Sequence, residues 1–356
     1  MIFFFWNHER RRVQEMLLWH SDFSQSMIFL TFAKNLHLME QTLLDSIPSL
    51  DLADFTSGDD ARKNKFVQDL GAAFNTIGFV AIKNHGLSDE LREKLYAAVQ
   101  KFFYQPDENK TKYEFPELLG QRGYVGKGKE TAKGFTKPDL KEFYHVGQPV
   151  VEGNMPSNIF PAEVPEFEQY TTEVYKTFEN TGKTLLRAIA LYLGLSEDFF
   201  EEKVRNGDSI LRALHYFPIE NPDALPEGAV RAAAHGDINL ITLLMGASAD
   251  GLEVLRLDGK WIAVTALPEQ IVINVGDMLD RLTNHKLKST IHRVVNPPRE
   301  KMKTSRFSIP FFMHPRGDMD LTCLESCIDA ENPRRYENMT AGEFLAERLR
   351  ELGFKK

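Results

Sequence analysis

The stretch that decides the fold is residues 271–313, which read IVINVGDMLDRLTNHKLKSTIHRVVNPPREKMKTSRFSIPFFM. Three runs within it, at 271–275, 289–295 and 305–313, are rich in Val, Ile and Phe. An Asn-Pro-Pro turn at 296–298 separates the last two runs. Short apolar runs bounded by turn residues predict β-strands.

Four more runs of this kind lie upstream, at 210–217, 240–245, 252–257 and 261–264. Many short strands with few helices between them are typical of a β-sandwich or barrel, such as a jelly roll. We therefore expect a fold that is mainly β, with a jelly-roll core and flanking helices.

The chain before this core has a helical pattern. Apolar residues recur at helical spacing in 59–77, in 87–103 and on one face between 170 and 192. The segment 120–137 is rich in Gly and Lys, which predicts a loop of the kind that often covers a site.

The last segment, 340–352, predicts a closing helix, because Thr340 and Glu343 have the spacing of a capping box. These patterns predict a helical N-terminal region at 39–205 that packs on a jelly-roll catalytic core at 206–356. We expect the two parts to form one structural unit at 39–356.

The first residues differ from the rest. The chain opens with the apolar run MIFFFW, whereas a domain-like opening, Ile-Pro-Ser-Leu-Asp-Leu, begins only at Ile47. We expect residues 1–38 to be an N-terminal extension outside the working protein.

The amino-acid composition limits the kinds of binding partner that we expect for this protein. The formal net charge is -8, which disfavours nucleic acid as a partner. No apolar run approaches the roughly 20 residues that span a bilayer. Cys323 and Cys327 are too few for a disulfide framework and predict free thiols in a reducing compartment. We expect a cytoplasmic protein that binds a small molecule and neither nucleic acid nor a membrane.

Three residues have the chemistry of a metal site. His235 and Asp237 flank Gly236, and residues two apart on a strand point to the same face. His292 follows in another predicted strand. Two histidines and one carboxylate leave open coordination positions, which suits Fe(II) and oxygen chemistry better than a closed zinc site.

Arg306 and Ser308 are also two apart on a predicted strand. The arginine fork binds a carboxylate in two places, and a serine adds a hydroxyl donor. A buried cation beside an iron pocket needs an anionic partner, which a dicarboxylate that chelates iron through its other end would supply. A structural salt bridge from Arg306 is the alternative.

Several ordered segments now identify a family. They are Ile47-Pro48, Gly78-Phe79, Asn84-His85-Gly86, Phe102-Phe103, the Asp139–Phe143 segment, His235-x-Asp237, Asn274-x-Gly276-Asp277, Ser289-Thr290-x-His292-Arg293-Val294 and Arg306-x-Ser308. From about Ile47 to about Leu352 the chain resembles the Fe(II)/2-oxoglutarate-dependent dioxygenases of the isopenicillin N synthase-like branch.

The resemblance implies a double-stranded β-helix, which is a jelly roll. It implies Fe(II) on His235, Asp237 and His292, and 2-oxoglutarate on the iron with its far carboxylate at Arg306 and Ser308. It also implies that O2 and 2-oxoglutarate are consumed while a small organic substrate is hydroxylated, desaturated or cyclised.

One position departs from the family pattern. Many relatives carry a tyrosine directly before the proline at 218, where this chain has Phe217, which cannot donate a hydrogen bond. Either His215 donates to the co-substrate instead, or the pocket is drier and binds the co-substrate less tightly. The alternative for His215 is a packed core histidine. Tyr124 and Phe312 are further candidates for substrate contacts.

Two other functions stay open at this point. One is an oxidase of the isopenicillin N synthase type, in which Arg306 and Ser308 would bind the substrate's own carboxylate. The other is a jelly-roll binding protein without catalysis. The substrate and the oligomeric state do not follow from the sequence.

Overall fold

The computed structural model describes residues 44–131, 137–150, 155–226, 228–246, 251–265 and 267–351. The expected extension at 1–38 lies outside these residues. The chain from Leu44 onward forms one compact unit. Among the described residues, no helix is both long and apolar enough to cross a membrane.

The described strands form two sheets. In chain order they are β1 (Ser49–Asp51), β2 (Phe79–Lys83), β3 (Gly123–Val125), β4 (Glu142–Gly147), β5 (Ile210–Tyr216), β6 (Ala232–His235), β7 (Ile241–Met245), β8 (Leu252–Leu255), β9 (Trp261–Ala263), β10 (Ile271–Val275), β11 (His292–Val294) and β12 (Arg306–Met313). The large sheet has the order β1-β2-β10-β7-β12-β5-β4-β3, and the small sheet has the order β6-β11-β8-β9.

Helices flank these sheets. They are α1 (Leu52–Thr56), α2 (Asp60–Thr76), α3 (Asp89–Phe103), α4 (Asp107–Lys110), α5 (Glu166–Tyr192), α6 (Glu201–Val204), α7 (Asp277–Leu282) and α8 (Ala341–Glu351). Short 3-10 turns lie at Thr111–Tyr113, Pro116–Leu118, Pro222–Ala224, Arg299–Lys301 and Glu325–Cys327.

The two sheets pack face to face. One apolar cluster joins Phe143 and Leu214 of the large sheet to Ala232 and Val294 of the small sheet. On β12, Phe307, Ile309, Phe311 and Met313 belong to a different cluster, shared with the helices. Since side chains alternate along a strand, Arg306, Ser308 and Phe312 face the space between the sheets.

The long helix α5 covers the outer face of the large sheet. Phe178 packs its ring 6.2 Å from that of Phe311, and Tyr175 approaches the same ring at 5.0 Å. Gly182 lies so close to β12 that a Cβ there would come within 2.4 Å of the Met313 sulfur. A glycine at this point lets the helix approach the strand.

Most sequence-based expectations for the elements are confirmed. The predicted fold, mainly β with flanking helices, is observed, and α8 begins after a capping box in which the Thr340 amide donates to the Glu343 carboxylate at 2.8 Å. The strand expected at 289–295 is shorter. Its first residues bond elsewhere, because the Ser289 amide donates to the Asp280 carboxylate at 2.8 Å.

Three strands of the large sheet, β1, β3 and β4, were not predicted from the sequence. β3 lies within the loop expected at 120–137, and β4 follows it. Four of the described strands, β1 to β4, precede residue 206. The division at 205 and 206 therefore stays a prediction, while the large sheet draws strands from both sides of it.

Candidate active site

The predicted metal-binding residues come together at the junction of two strands. β6 and β11 pair antiparallel with His235 opposite His292, and their ring centroids lie 4.5 Å apart. Asp237 follows directly after β6, and its Oδ1 lies 3.8 Å from Nε2 of His292. One nitrogen or oxygen from each of the three residues lies within 4.8 Å of the others.

Hydrogen bonds orient each of the three side chains. Nδ1 of His235 lies 2.7 Å from the Ala233 carbonyl oxygen, and Nδ1 of His292 lies 3.2 Å from that of Thr290. When Nδ1–H donates to a carbonyl, the lone pair of each ring is on Nε2, which is the pattern of a metal-binding histidine. This pattern fits a divalent cation.

The carboxylate of Asp237 is held in a similar way. Its Oδ2 accepts hydrogen bonds from the Thr242 hydroxyl at 2.6 Å and from the Asn274 amide at 2.8 Å. Its Oδ1 faces His292. A Cβ on Gly236 would lie 3.1 Å from both Asp277 Oδ1 and Ser289 Oγ, so the glycine lets this turn pass close to its neighbours.

The surroundings of His235 and Asp237 shift their pKa values toward the protonation states that bind a cation. Burial and the neighbouring His292 lower the pKa of His235 to about 4, so its ring is neutral at pH 7. Burial alone would raise the pKa of Asp237, but the two histidines and the hydrogen bonds from Asn274 and Thr242 lower it overall. Two imidazoles and one carboxylate are the donor set of a 2-His-1-carboxylate iron site.

Arg306 and Ser308 lie between the sheets. Arg306 is opposite Tyr216 in the ladder, is 2% exposed, and has its guanidinium carbon 4.9 Å from the Tyr216 ring centroid. Ser308 is buried opposite Leu214. A second buried arginine, Arg231, approaches the same ring at 5.9 Å.

Sequence reasoning missed Arg231, which stands in no motif. Its Nη2 donates to the Thr304 carbonyl oxygen at 3.0 Å. Burial and then the charge of Arg306 lower the pKa of Arg231. Two guanidinium groups therefore lie against the ring of Tyr216 in this part of the interior.

The structure does not bring His215 to this region. His215 faces the helical side of the large sheet, where its ring stacks on Phe307 at 4.7 Å. Its Nδ1 lies 2.7 Å from Glu142 Oε1, and its Nε2 lies 2.9 Å from Ser305 Oγ. The expected contact between His215 and the co-substrate is therefore corrected. Alternation along β5 turns this side chain away from the space between the sheets.

Phe217 follows the end of β5. It is half-buried, with the Lys127 ammonium 5.2 Å from its ring centroid. Tyr124 is also removed from the cavity, because its hydroxyl donates to the buried Glu142 carboxylate. Among the expected substrate contacts, only Phe312 lines the cavity described next.

A cavity of about 740 Å³ adjoins the cluster. His235, Gly236 and Asp237 form part of its wall, whereas Arg306 and Ser308 do not line it. Its apolar lining includes Leu119, Phe143, Met155, Ile210, Ile238, Ile291, Phe312, Leu345 and Leu349. A largely apolar cavity of this size suits a small organic molecule.

A buried polar network forms another part of the wall. The Lys141 ammonium lies 2.7 Å from Glu130 and 2.8 Å from Asp139, and Arg212 lies 3.4 Å from Glu130. The Asp139 carboxylate also accepts a hydrogen bond from the Ala233 amide at 3.0 Å, two residues before His235. The two positive and two negative charges of this network balance. Its hydrogen bond to Ala233 supports β6, the strand that carries His235.

Comparison with known proteins gives the family. The chain matches the model described as non-haem dioxygenase in morphine synthesis N-terminal over residues 47–165, and that of the 2OG-Fe(II) oxygenase superfamily over residues 207–315. A 2-oxoglutarate-Fe(II) type oxidoreductase from Emericella nidulans is 32% identical over 87% of this chain and 92% of its own length.

Two solved structures are similar along most of the chain. A 2OG-Fe(II) oxygenase family protein from Caulobacter crescentus has a TM-score of 0.76 and 43% identity, covering 85% of this chain and 98% of that one. A full-length protein from Neurospora crassa, solved in complex with alpha-KG and thymine, has a TM-score of 0.77 and 31% identity, covering 85% and 96%.

A two-sheet β core that carries two histidines and one carboxylate defines a non-haem iron oxygenase. The chain belongs to the 2OG-Fe(II) oxygenase superfamily. It is an oxidoreductase of the kind that uses Fe(II), 2-oxoglutarate and O2, and the resemblance and the jelly-roll core expected from the sequence are confirmed.

Proposed function

We propose that His235, Asp237 and His292 hold Fe(II), that Arg306 and Ser308 hold the far carboxylate of 2-oxoglutarate, and that the adjoining cavity binds a small organic substrate for hydroxylation. The observation that carries this proposal is the cluster itself. Its potential ligand atoms lie within 4.8 Å of one another, and two of its three residues line the cavity.

The orientation of the cluster supports the metal assignment. Both imidazoles have Nδ1 beside a backbone carbonyl, and Asp237 uses Oδ2 for its hydrogen bonds. One atom of each side chain is then left for the metal. When bound, Fe(II) and 2-oxoglutarate together activate O2, so that CO2 and succinate are released and one oxygen atom enters a C–H bond of the substrate.

The position of the arginines supports the co-substrate assignment. Arg306 and Ser308 lie on the face of β12 that looks between the sheets, with Arg231 nearby at the Tyr216 ring. A dicarboxylate that reaches from the metal cluster toward Arg306 would meet a bidentate donor in an interior with little water. Phe217 offers no hydroxyl, and His215 faces away, so Arg306 and Ser308 carry this role.

The cavity supports a small substrate. Its apolar lining offers contacts for the carbon skeleton of a small molecule beside the cluster. The structural relative from Neurospora crassa has been solved with thymine. The free, buried Cys323 and Cys327 support a cytoplasmic location for this activity.

An anaerobic titration of the Fe(II)-loaded protein with 2-oxoglutarate tests the proposal. We expect a saturable visible charge-transfer band from the chelated keto acid. The band is absent in His235→Ala, which loses the metal. It is retained in His314→Asn, a matched change of another buried histidine of the same cavity.

The other outcomes distinguish the remaining functions. Bound iron without a band would contradict the use of 2-oxoglutarate and favour an oxidase whose substrate carries its own carboxylate to Arg306. Absence of iron binding in the native protein would contradict the metal site and favour a binding protein without catalysis.

A further inference from the structure

A buried arginine lies in the same cavity, away from the co-substrate residues. Arg122 precedes β3, lines the cavity and is 3% exposed. Its guanidinium lies directly over Gly147 of β4, where an added Cβ would come within 1.9 Å of the guanidinium carbon. Phe143 and His145, on the same face of β4, line the cavity as well. The glycine therefore makes room for the arginine on the cavity side of the sheet.

Arg122 has few hydrogen bonds for so buried a cation. Its Nη1 donates to the Gln121 carbonyl oxygen at 2.7 Å, while its Nε is buried and has no hydrogen-bond partner among the described residues. An arginine has five N–H donors, and leaving buried donors unmade is costly. Burial also lowers the pKa of Arg122, as expected for a cation removed from water.

The other cations of the cavity have carboxylate partners. Lys141 is paired with Glu130 and Asp139, and Arg348 is paired with Glu347 at 2.6 Å and Glu351 at 2.9 Å. No carboxylate of the described residues lies within 4.0 Å of Arg122.

Asp208 is the acidic group whose charge acts on Arg122, and it also lines the cavity. Burial raises the pKa of Asp208, with the charge of Arg122 opposing this. Asp208 lies beyond salt-bridge distance, so it does not pair with the guanidinium group of Arg122.

We propose that Arg122 anchors a carboxylate of the substrate. Lys141, Arg212 and Arg348 of the same cavity each have a carboxylate partner, whereas no described carboxylate pairs the Arg122 fork. One such fork matches one carboxylate in bidentate contact, whereas a phosphate usually recruits several cations. Once its carboxylate is held at Arg122, the apolar part of the substrate extends along the wall toward His235 and Asp237. This inference rests on the proposed function and narrows its substrate class to small carboxylic acids.

The test uses protein loaded with Zn(II), which does not react with O2, and with 2-oxoglutarate, so that the metal and co-substrate sites are filled. Benzoate and cyclohexanecarboxylate serve as probes, and benzamide and cyclohexanecarboxamide are their uncharged controls. The readout is the NMR signal of the Arg122 Nε–H group, identified by its absence from Arg122→Lys.

We expect this signal to shift saturably with at least one acid and with neither amide. Arg122→Met should weaken the binding of that acid about tenfold or more, since it removes a charge-assisted bidentate contact. Arg281→Met, which removes an arginine whose Nε is likewise buried without a hydrogen-bond partner among the described residues but which does not line the cavity, should leave the affinity unchanged.

Three results would overturn the proposal. The Arg122 Nε–H signal could show no shift with either acid. It could shift equally with an acid and with its amide. It could also shift when 2-oxoglutarate is added, before any probe is present. Failure of both Arg122 variants to fold would also overturn it, because Arg122 would then be structural. In each case metal and 2-oxoglutarate binding, measured on the same samples, report separately on the proposed function.

Discussion

Thr242 gives a sharp test of how the metal site is oriented. Its hydroxyl donates to Asp237 Oδ2 at 2.6 Å, and the side chain is buried. Thr242→Val keeps the shape and removes this donor, which leaves the Asn274 amide as the remaining side-chain hydrogen bond to that oxygen. A hydrogen bond to a charged group contributes about 1.5–3 kcal/mol.

The hydrogen bond from Thr242 to Asp237 forms both with and without metal. It therefore adds to metal affinity only by holding the Asp237 carboxylate in the orientation that binds the metal. Residues that orient metal ligands typically change affinity about 10–100-fold. We therefore expect the dissociation constant for Fe(II) to rise about tenfold in Thr242→Val. Because the ionised carboxylate loses a donor, the pKa of Asp237 should also rise in the metal-free protein.

The assay is an anaerobic competition for Fe(II) between the protein and a chromophoric chelator. Thr181→Val is the matched control, because its buried hydroxyl donates to the His85 carbonyl oxygen at 2.7 Å, outside the cavity. The control should lose about 1 kcal/mol of unfolding free energy and keep its metal affinity. An Fe(II) dissociation constant for folded Thr242→Val within twofold of the native value would refute the reasoning.

Three further predictions follow from residues away from the metal. Arg306→Ala should raise the KM for 2-oxoglutarate about 30-fold or more, since a bidentate carboxylate contact is lost; unchanged steady-state kinetics would exclude Arg306 from the co-substrate site. Gly182→Ala should cost about 1–3 kcal/mol in urea unfolding, because its Cβ would meet the buried Met313 sulfur at 2.4 Å; native-like stability would mean that the Met313 side chain moves aside. Burial alone would raise the pKa of Glu142. Hydrogen bonds from His215, Lys110 and Tyr124 outweigh burial and lower this pKa to about 2, from its ordinary value of 4.5. The folded-state pKa is depressed, so this stabilisation is present above pH 4.5 and is lost as the pH falls toward 2. Glu142→Gln should therefore show a weaker loss of stability over that range, and parallel pH profiles would contradict the assignment.

The core strands were predictable because their physical signal is local. Val and Ile residues mark 271–275 in the sequence, and the structure has a strand with those bounds. β4 carries no such signal. Its sequence, EFYHVG, contains a glutamate and a histidine that are buried only because Lys110, His215 and Arg212 come from distant segments to meet them.

The same distinction applies to the site. His235, Asp237 and His292 were predictable from their residue types and spacing, and the structure brings them together, with both histidines on strands and Asp237 in the segment after β6. His215 and Ala213 are two residues apart on β5 and point to the same, outer face of the large sheet. The sequence pattern of β5 did not indicate which of its two faces points toward the space between the sheets. Arg122 and Arg231 lie in segments without a motif. Only the packing of the sheets places Arg122 at the cavity and Arg231 beside the proposed co-substrate residues.

The cavity wall supplied by α8 has a practical consequence. Leu345, Ala346 and Leu349 come from the last described helix, whereas the metal cluster ends at His292. Under the proposed function, we expect substitutions confined to α8 to change which substrate binds and to leave the proposed iron ligands in place. Such variants should bind metal and 2-oxoglutarate as the native protein does and yet turn over a different substrate, or none.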